Sequence, residues 1–257
     1  MMTLKELENT LREITESVPS NGSFLENSCE REIAYSIKSS YRWLDIIRII
    51  ENLNLGGKCL DIGTSPFTFA LKSRFNDMET LDYTNAFRDR CTLTGIKLHV
   101  GGDNWEINTM LPDDYYDCII FLEVIEHMHM NPEKILLFLK KKLRNGGHLI
   151  MSTPNMMCVG NRINMLFNKK LFCFTYPAFA ENEHQIHGHR HDRVFMPAEM
   201  KEYLDNTNWK SYNINYHSMK VADDGMSGFK RLLRLPIRFL KYVVPSMRQI
   251  MVITAMK

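Results

Sequence analysis

At 257 residues, 44% of them hydrophobic and 24% charged, the chain can bury a full core and reads as one soluble globular domain with embellishments. No apolar run approaches membrane-spanning length, and the six cysteines, scattered without a CxxC pair, exclude a zinc knuckle and a disulfide framework. The net charge of +2 conceals an asymmetry: residues 225–257 carry seven basic side chains and no acid, leaving 25 basic against 30 acidic in residues 1–224.

The opening MMTLKELENTLREITESV is charged and amphipathic, with Leu4, Leu7, Leu11 and Ile14 at helical spacing, and it lacks a signal-peptide pattern. A cytoplasmic protein is expected. Residues 30–52 repeat apolar side chains at the same spacing (Ile33, Ile37, Tyr41, Leu44, Ile47) and stop at Gly56-Gly57, so residues 1–54 form an N-terminal helical cap. From Lys58 strands and helices alternate. KCLDI is a strand, PFTFALKSRF a helix, METLDY and IKLHV strands, and YDCIIFLEV a buried strand. PEKILLFLKKKL is a helix closed by Asn145-Gly146-Gly147, and HLIMSTP is the next strand. Cys59 and Cys118 sit inside apolar strands, which suits reduced core thiols.

Residues 170–195 are too long and aromatic for a plain connection and read as a lid after strand five. PAEMKEYLDNTN is a helix with Pro197 in its first turn, and SYNINYHSM and QIMVITAM are the last strands. Between those two, within about 226–245, GFKRLLRLPIRFLKYVV interleaves cations with apolar residues. It predicts a helix broken near Pro236 that either lies on an anionic membrane surface or packs on the domain. The whole rhythm predicts an α/β fold: a doubly wound, mostly parallel sheet of seven strands.

In such sheets ligands bind at the carboxyl ends of the strands. Those ends are Asp61-Ile62-Gly63, Asp82-Tyr83, Gly102-Asp103-Asn104 and Glu123 to His127. A dehydrogenase loop needs three glycines, two of them for pyrophosphate approach and helix packing, whereas CLDIGTSPFTFAL has one, with Ser65 and Thr68 in the other places. S-adenosylmethionine carries no phosphate, so a turn glycine and a few backbone donors are enough to hold it. Ser65 is expected to cap the following helix and Pro66 to open it, leaving amides near the helix N-terminus for the cofactor.

The order strand, D-x-G, acid ending strand two, Asp after strand three, apolar strand four and Gly-Gly before strand five runs from about Lys58 to Pro154. It resembles the class I S-adenosylmethionine-dependent methyltransferases. LPDDYYDCIIFLEVIEHM is similar to the strand-four signature of the branch holding ubiquinone-biosynthesis and bacterial sugar or glycan methyltransferases, although the loop departs from DxGxGxG at Ser65 and Phe67. The resemblance implies a Rossmann-like methyltransferase domain over residues 55–257. It places Asp61, Gly63 and Thr64 near the methionine part of the cofactor. Asp82, 19 residues past Gly63 and followed by Tyr83, would accept from the ribose hydroxyls. Asp103 would accept from the adenine amino group, with the Asn104 amide beside it. Taken alone, each acid also reads as a solvated loop carboxylate.

The stretch EVIEHMHM carries the chemistry. Methyl transfer to a hydroxyl needs alignment and removal of a proton, and His127, with Glu126 beside it, is the natural base. Glu123, Glu126 and His127 also suit a divalent cation binding the acceptor's oxygens. Capping of a turn, or pairing with an arginine, is the plainer role for Glu126 or His127. In HQIHGHRHDRVF, His187, His189 and His191 alternate and share one face of an extended backbone, from which His187 and His191 are further candidate ligands. His191-x-Arg193-x-Phe195 resembles the segment after strand five in many bacterial glycan-pathway methyltransferases, which implies a sugar or glycan-precursor acceptor. The same residues also resemble small-RNA 3′-end 2′-O-methyltransferases, which hold a metal on the terminal diol with two glutamates and two histidines. Against that, Arg193 stands where the second histidine belongs, and the acidic body argues against nucleic acid. A protein that keeps the fold without the cofactor is the remaining alternative.

Overall fold

A computed structural model describes residues 2–17, 29–101, 111–171, 191, 193–218 and 235–257. Two helices open the chain, α1 (Leu4–Ser17) and α2 (Cys29–Asn52), and β1 (Lys58–Ile62) then starts the alternation. In chain order follow α3 (Pro66–Leu71), β2 (Asp77–Asp82), α4 (Arg88–Thr94), β3 (Lys97–Val100), β4 (Tyr116–Leu122), α5 (Pro132–Lys142) and β5 (Leu143–Pro154). The rest is α6 (Val159–Leu166), α7 (Pro197–Asn206), β6 (Ser211–His217), α8 (Leu235–Val243) and β7 (Ile250–Met256).

The seven strands form one sheet in the order β3-β2-β1-β4-β5-β7-β6. Every pairing from β3 to β5 is parallel, and β7 runs antiparallel to both β5 and β6. The expected α/β architecture is therefore what the chain adopts. β4 explains the choice: YDCIIFL is apolar on both faces because helices cover both sides of a parallel sheet. On one face Leu7, Leu11, Trp43, Phe67 and Ile120 share a core; on the other, Leu60, Phe121, Leu136, Phe195 and Met251 do. The chain steps outward from β1 to β3 and then returns to β4, so the order reverses between β1 and β4. That is where such sheets open a crevice at their carboxyl ends.

Several local expectations need correction. The buried face of α2 is Glu32, Ser36, Ser40, Trp43, Ile47 and Ile50, with Leu44 and Ile46 beside it, whereas Ile37 and Tyr41 are exposed. Two of the three polar residues in its first half, Glu32 and Ser40, have long-range partners, whereas the Ser36 hydroxyl has none among the described residues. Arg90 Nη1 donates to Glu32 Oε1 at 2.5 Å and its guanidinium lies over Phe69, while Ser40 Oγ donates to Glu8 Oε1. Asn145, Gly146 and Gly147 do not close α5; they lie inside β5, where the register with β4 shifts between Tyr116 and Cys118. A Cβ at Gly147 would sit 2.9 Å from the carbonyl oxygens of Arg144 and Tyr116, so only glycine lets the bulge close. α4 and α6 are additional helices. Pro236 falls in the first turn of α8, where a missing N–H costs nothing, so within the described residues it opens a helix instead of breaking one. No helix among the described residues is long and apolar enough to cross a membrane.

Candidate active site

Gly63 ends β1 with φ at +88°, and its amide donates to Leu81 O on β2. A Cβ there would come within 2.8 Å of Val124 Cγ2, so the turn needs glycine for both its backbone and its packing. Ile62, Gly63, Leu81, Asp82, Tyr83, Gly101 and Val124 line a cleft of about 60 Å³ at this point. Tyr83 is 61% exposed and so forms its mouth, whereas Asp82 is nearly buried.

The loop amides are not left open as expected. Thr64 N donates to Asp82 Oδ2 at 2.8 Å, and Thr84 N donates to Oδ1 at 2.9 Å. Ser65 N donates to Thr68 Oγ1 at 2.9 Å, and that hydroxyl donates on to Asp61 Oδ2 at 2.5 Å. The helix is thus capped by Thr68 reaching back, with no side-chain bond from Ser65, though Pro66 does take the first helical position. Thr64 Oγ1 and Thr80 Oγ1 lie 2.8 Å apart, and Thr80 Oγ1 donates to Asp61 O. Burial pushes the Asp61 carboxyl up to about 7, opposed by Thr68 and helped by the nearby Asp82 charge. Burial also raises Asp82, against the amides and hydroxyls of Thr64 and Thr84. Asp61, Gly63, Thr64, Asp82 and Tyr83 therefore converge on one corner. Asp103 and Asn104 lie outside the described residues.

The second half of the site begins at Glu123, next to Val124. Glu123 adopts φ +55°, an unusual conformation for a side-chain-bearing residue, and the turn Ile125–His127 follows. Ser152 Oγ donates to Glu123 Oε1 at 2.7 Å, and Arg42 Nη1 lies 3.1 Å from Glu123 Oε2. Glu126 is fully buried. Thr153 Oγ1 donates to its Oε2 at 3.1 Å, and its Oε1 has no hydrogen-bond partner. Burial holds the Glu126 carboxyl well above the usual carboxylate range, the Glu123 charge adds to this, and Thr153 and Arg42 oppose it. Burial works against the Arg42 charge, but Glu123, Tyr35 and Glu126 outweigh it and keep its pKa above the ordinary arginine value.

A carboxylate oxygen of Glu126 and one ring nitrogen each of His127 and His191 lie within 4.8 Å of one another. The two imidazoles meet edge to face with centroids 4.8 Å apart. Glu123 instead turns to Arg42 and Ser152, an ion pair that the sequence does not announce. His187 and His189 lie outside the described residues, as do all but 170, 171, 191 and 193–195 of the segment read as a lid. Arg193 N donates to Glu126 O, whereas its guanidinium bonds Glu199 and Tyr203 on α7. Sequence reasoning missed Arg42, Thr153 and Val124. The polar Ser152-Thr153 pair ending an apolar strand was a usable signal for Thr153; an arginine amid an amphipathic helix gives none for Arg42.

No curated protein matches the chain. Solved structures do. A S-adenosylmethionine-dependent methyltransferase from Archaeoglobus fulgidus superposes with a TM-score of 0.55 at 17% identity, over 87% of this chain and 99% of that one. A S-adenosylmethionine-dependent methyltransferase from Thermotoga maritima, described as a possible histamine N-methyltransferase, gives 0.57 at 14% identity over 96% and 99%. DhpI in complex with S-adenosylhomocysteine gives 0.57 at 11% over 97% and 96%. Likeness at these identities shows a shared fold, that of S-adenosylmethionine-dependent methyltransferases. The methyltransferase-domain family model matches residues 35–213, from within α2 into β6, and the chain belongs to that family.

Proposed function

We propose that the protein transfers the methyl group of S-adenosylmethionine to a hydroxyl of a sugar-like acceptor, with His127 as the base. The observation that carries this reading is the Glu126, His127 and His191 cluster, which begins two residues after Val124 on the wall of the cleft. The cleft residues suit the cofactor. Asp82 accepts from Thr64 N and from Thr84 N and Oγ1, which leaves about one of a carboxylate's four acceptor sites for a ribose hydroxyl. When bound, S-adenosylmethionine offers a methyl on a sulfonium that leaves as a neutral thioether. His127 takes the proton that the acceptor oxygen loses as it gains the methyl. Glu126, buried and raised, holds the turn on which His127 sits through Thr153 and the Arg193 amide.

The unpartnered Glu126 Oε1 favours a second reading of the same cluster. A divalent cation held by Glu126, His127 and His191 fits the donor set and would satisfy that oxygen; it would lower the pKa of an acceptor hydroxyl. Methyl uptake measured on nucleotide sugars, lipid-linked glycans and short RNA, with and without chelator, tests both readings. Uptake by a sugar that survives chelation supports the base, and chelator-sensitive uptake supports the cation. Uptake by RNA alone promotes the 2′-O-methyl alternative. Failure to bind S-adenosylmethionine would leave a non-catalytic protein.

A further inference from the structure

α6 and α8 lie side by side, and the described residues bury little of either. α6 buries only Val159 and Asn161, and α8 buries no residue. Between them runs a groove of about 280 Å³ lined by Val159, Ile163, Leu166, Pro236, Ile237 and Leu240, among others. Outside the groove Phe167 at 68%, Phe239 at 69% and Tyr242 at 78% are exposed as well. Single exposed apolar residues are ordinary, but a contiguous group marks a contact surface.

Charge says what kind. Residues 159–171 carry Arg162, Lys169 and Lys170, residues 235–248 carry Arg238, Lys241 and Arg248, and neither stretch contains an acid. Two adjoining stretches that hold cations and no acid, with aromatic and aliphatic side chains between, match anionic headgroups above acyl chains. We infer that α6 and α8 form a docking surface for an anionic lipid bilayer, and that the methyl acceptor is bilayer-anchored. The second half of this inference rests on the methyl-transfer reading above.

The surface is wired to the chemistry. Asn155, the residue after β5, donates through Nδ2 to Ser246 O and Arg248 O at 2.8 Å each, which fixes the turn after α8 to the strand end. Two residues earlier, Thr153 bonds Glu126, and four residues later α6 begins. A bilayer against the two helices therefore brings its surface to the rim of the cluster that holds His127.

The test uses the full chain and vesicles of phosphatidylcholine alone or mixed with phosphatidylglycerol. Co-sedimentation should favour the mixed vesicles by about tenfold or more and weaken with added salt. Arg238→Glu with Lys241→Glu should remove most of that preference. Phe239→Ser with Tyr242→Ser should weaken binding to the mixed vesicles. Both double variants should titrate S-adenosylmethionine as wild type does, which shows that they are folded. Equal partition onto both vesicle types, indifference to both variants, or a solution dimer that Phe239→Ser with Tyr242→Ser dissociates would overturn the docking surface. Methyl label from S-adenosylmethionine offered to a membrane extract should enter the organic phase; label confined to the aqueous phase overturns the anchored acceptor. Vesicle binding without any uptake of S-adenosylmethionine would refute the methyl-transfer reading and leave the surface standing.

Discussion

The two halves of the site differ in how their polar groups are satisfied. Around β1 and β2 the hydrogen bonds close on themselves: the Thr64 and Thr84 amides go to Asp82, and Ser65 reaches Asp61 through Thr68. Around the turn after β4 they do not, because Glu126 is fully buried with one oxygen unpartnered and Glu123 nearby. A closed network holds a shape without a ligand, and its loop can be ready before anything binds. An open one carries an unfavourable charge environment that a proton, a cation or an acceptor hydroxyl relieves. The first half is held by its own hydrogen bonds, and the second keeps one unmet.

The largest expected effect tests the closed half. Asp61 has its folded pKa raised to about 7, so between roughly pH 4 and 7 the folded chain keeps a proton that the unfolded chain has lost. Its contribution is therefore fully present below the unfolded pKa and falls as pH rises, by up to about 4 kcal/mol at pH 7. Asp61→Asn should remove that loss, so urea midpoints of wild type and variant should diverge in the variant's favour from pH 4 to 7. Parallel curves would mean that Asp61 is not protonated there. Next comes the cation that serves the open half. Arg42→Ala takes the partner from Glu123 and should cost about 3 kcal/mol near neutral pH. Arg42→Lys, which keeps a cation, should recover part of that loss; a thermal shift equal in both variants would make Arg42 a packing residue only.

What was legible follows the range of the interaction. Strand runs such as KCLDI and YDCIIFL announce themselves because their burial is a property of every residue in them, and the acids ending β1 and β2 are visible once the strands are placed. The face of α2 was not, because Glu32 is buried through Arg90, 58 residues on. α4 has the left-handed Gly95 at its end as a signal, with its amide on the Cys91 and Thr92 carbonyls, but only seven residues to show a period. α6 lacks even a side-chain cap. In the site, the loop was legible in identity and misjudged in wiring: amides expected to wait for a ligand were claimed by Asp82 and Thr68, side chains that a linear reading keeps apart. His191 could be paired with His127 only as a guess about a fold-back, which Arg193 N on Glu126 O now accounts for.

The open half can also be broken directly. His127→Ala should lower kcat by about a hundredfold or more, with the affinity for S-adenosylmethionine intact, because His127 lies in the cluster and not among the cleft-lining residues. Equal losses in kcat and cofactor affinity would erase the division between the halves. Full activity in both His127→Ala and Glu126→Ala would place the chemistry elsewhere.

The smallest effect sharpens the division most. Asp82→Asn keeps the size of the side chain and one carbonyl oxygen, so one of the bonds from Thr64 N and Thr84 N survives while the other faces an NH₂. The variant also gives up the carboxylate charge that would accept a ribose hydroxyl, a loss of about 1.5 kcal/mol that lowers cofactor affinity about tenfold. The turnover of saturated enzyme should stay near wild type, because Asp82 touches neither Glu126 nor the histidines among its hydrogen-bond partners. Calorimetric titration of S-adenosylmethionine against the variant, beside its kcat at saturating cofactor, reads the two quantities separately. A loss in kcat larger than the loss in affinity would show that the closed network positions the methyl group as well as holding the cofactor, and that the two halves act as one.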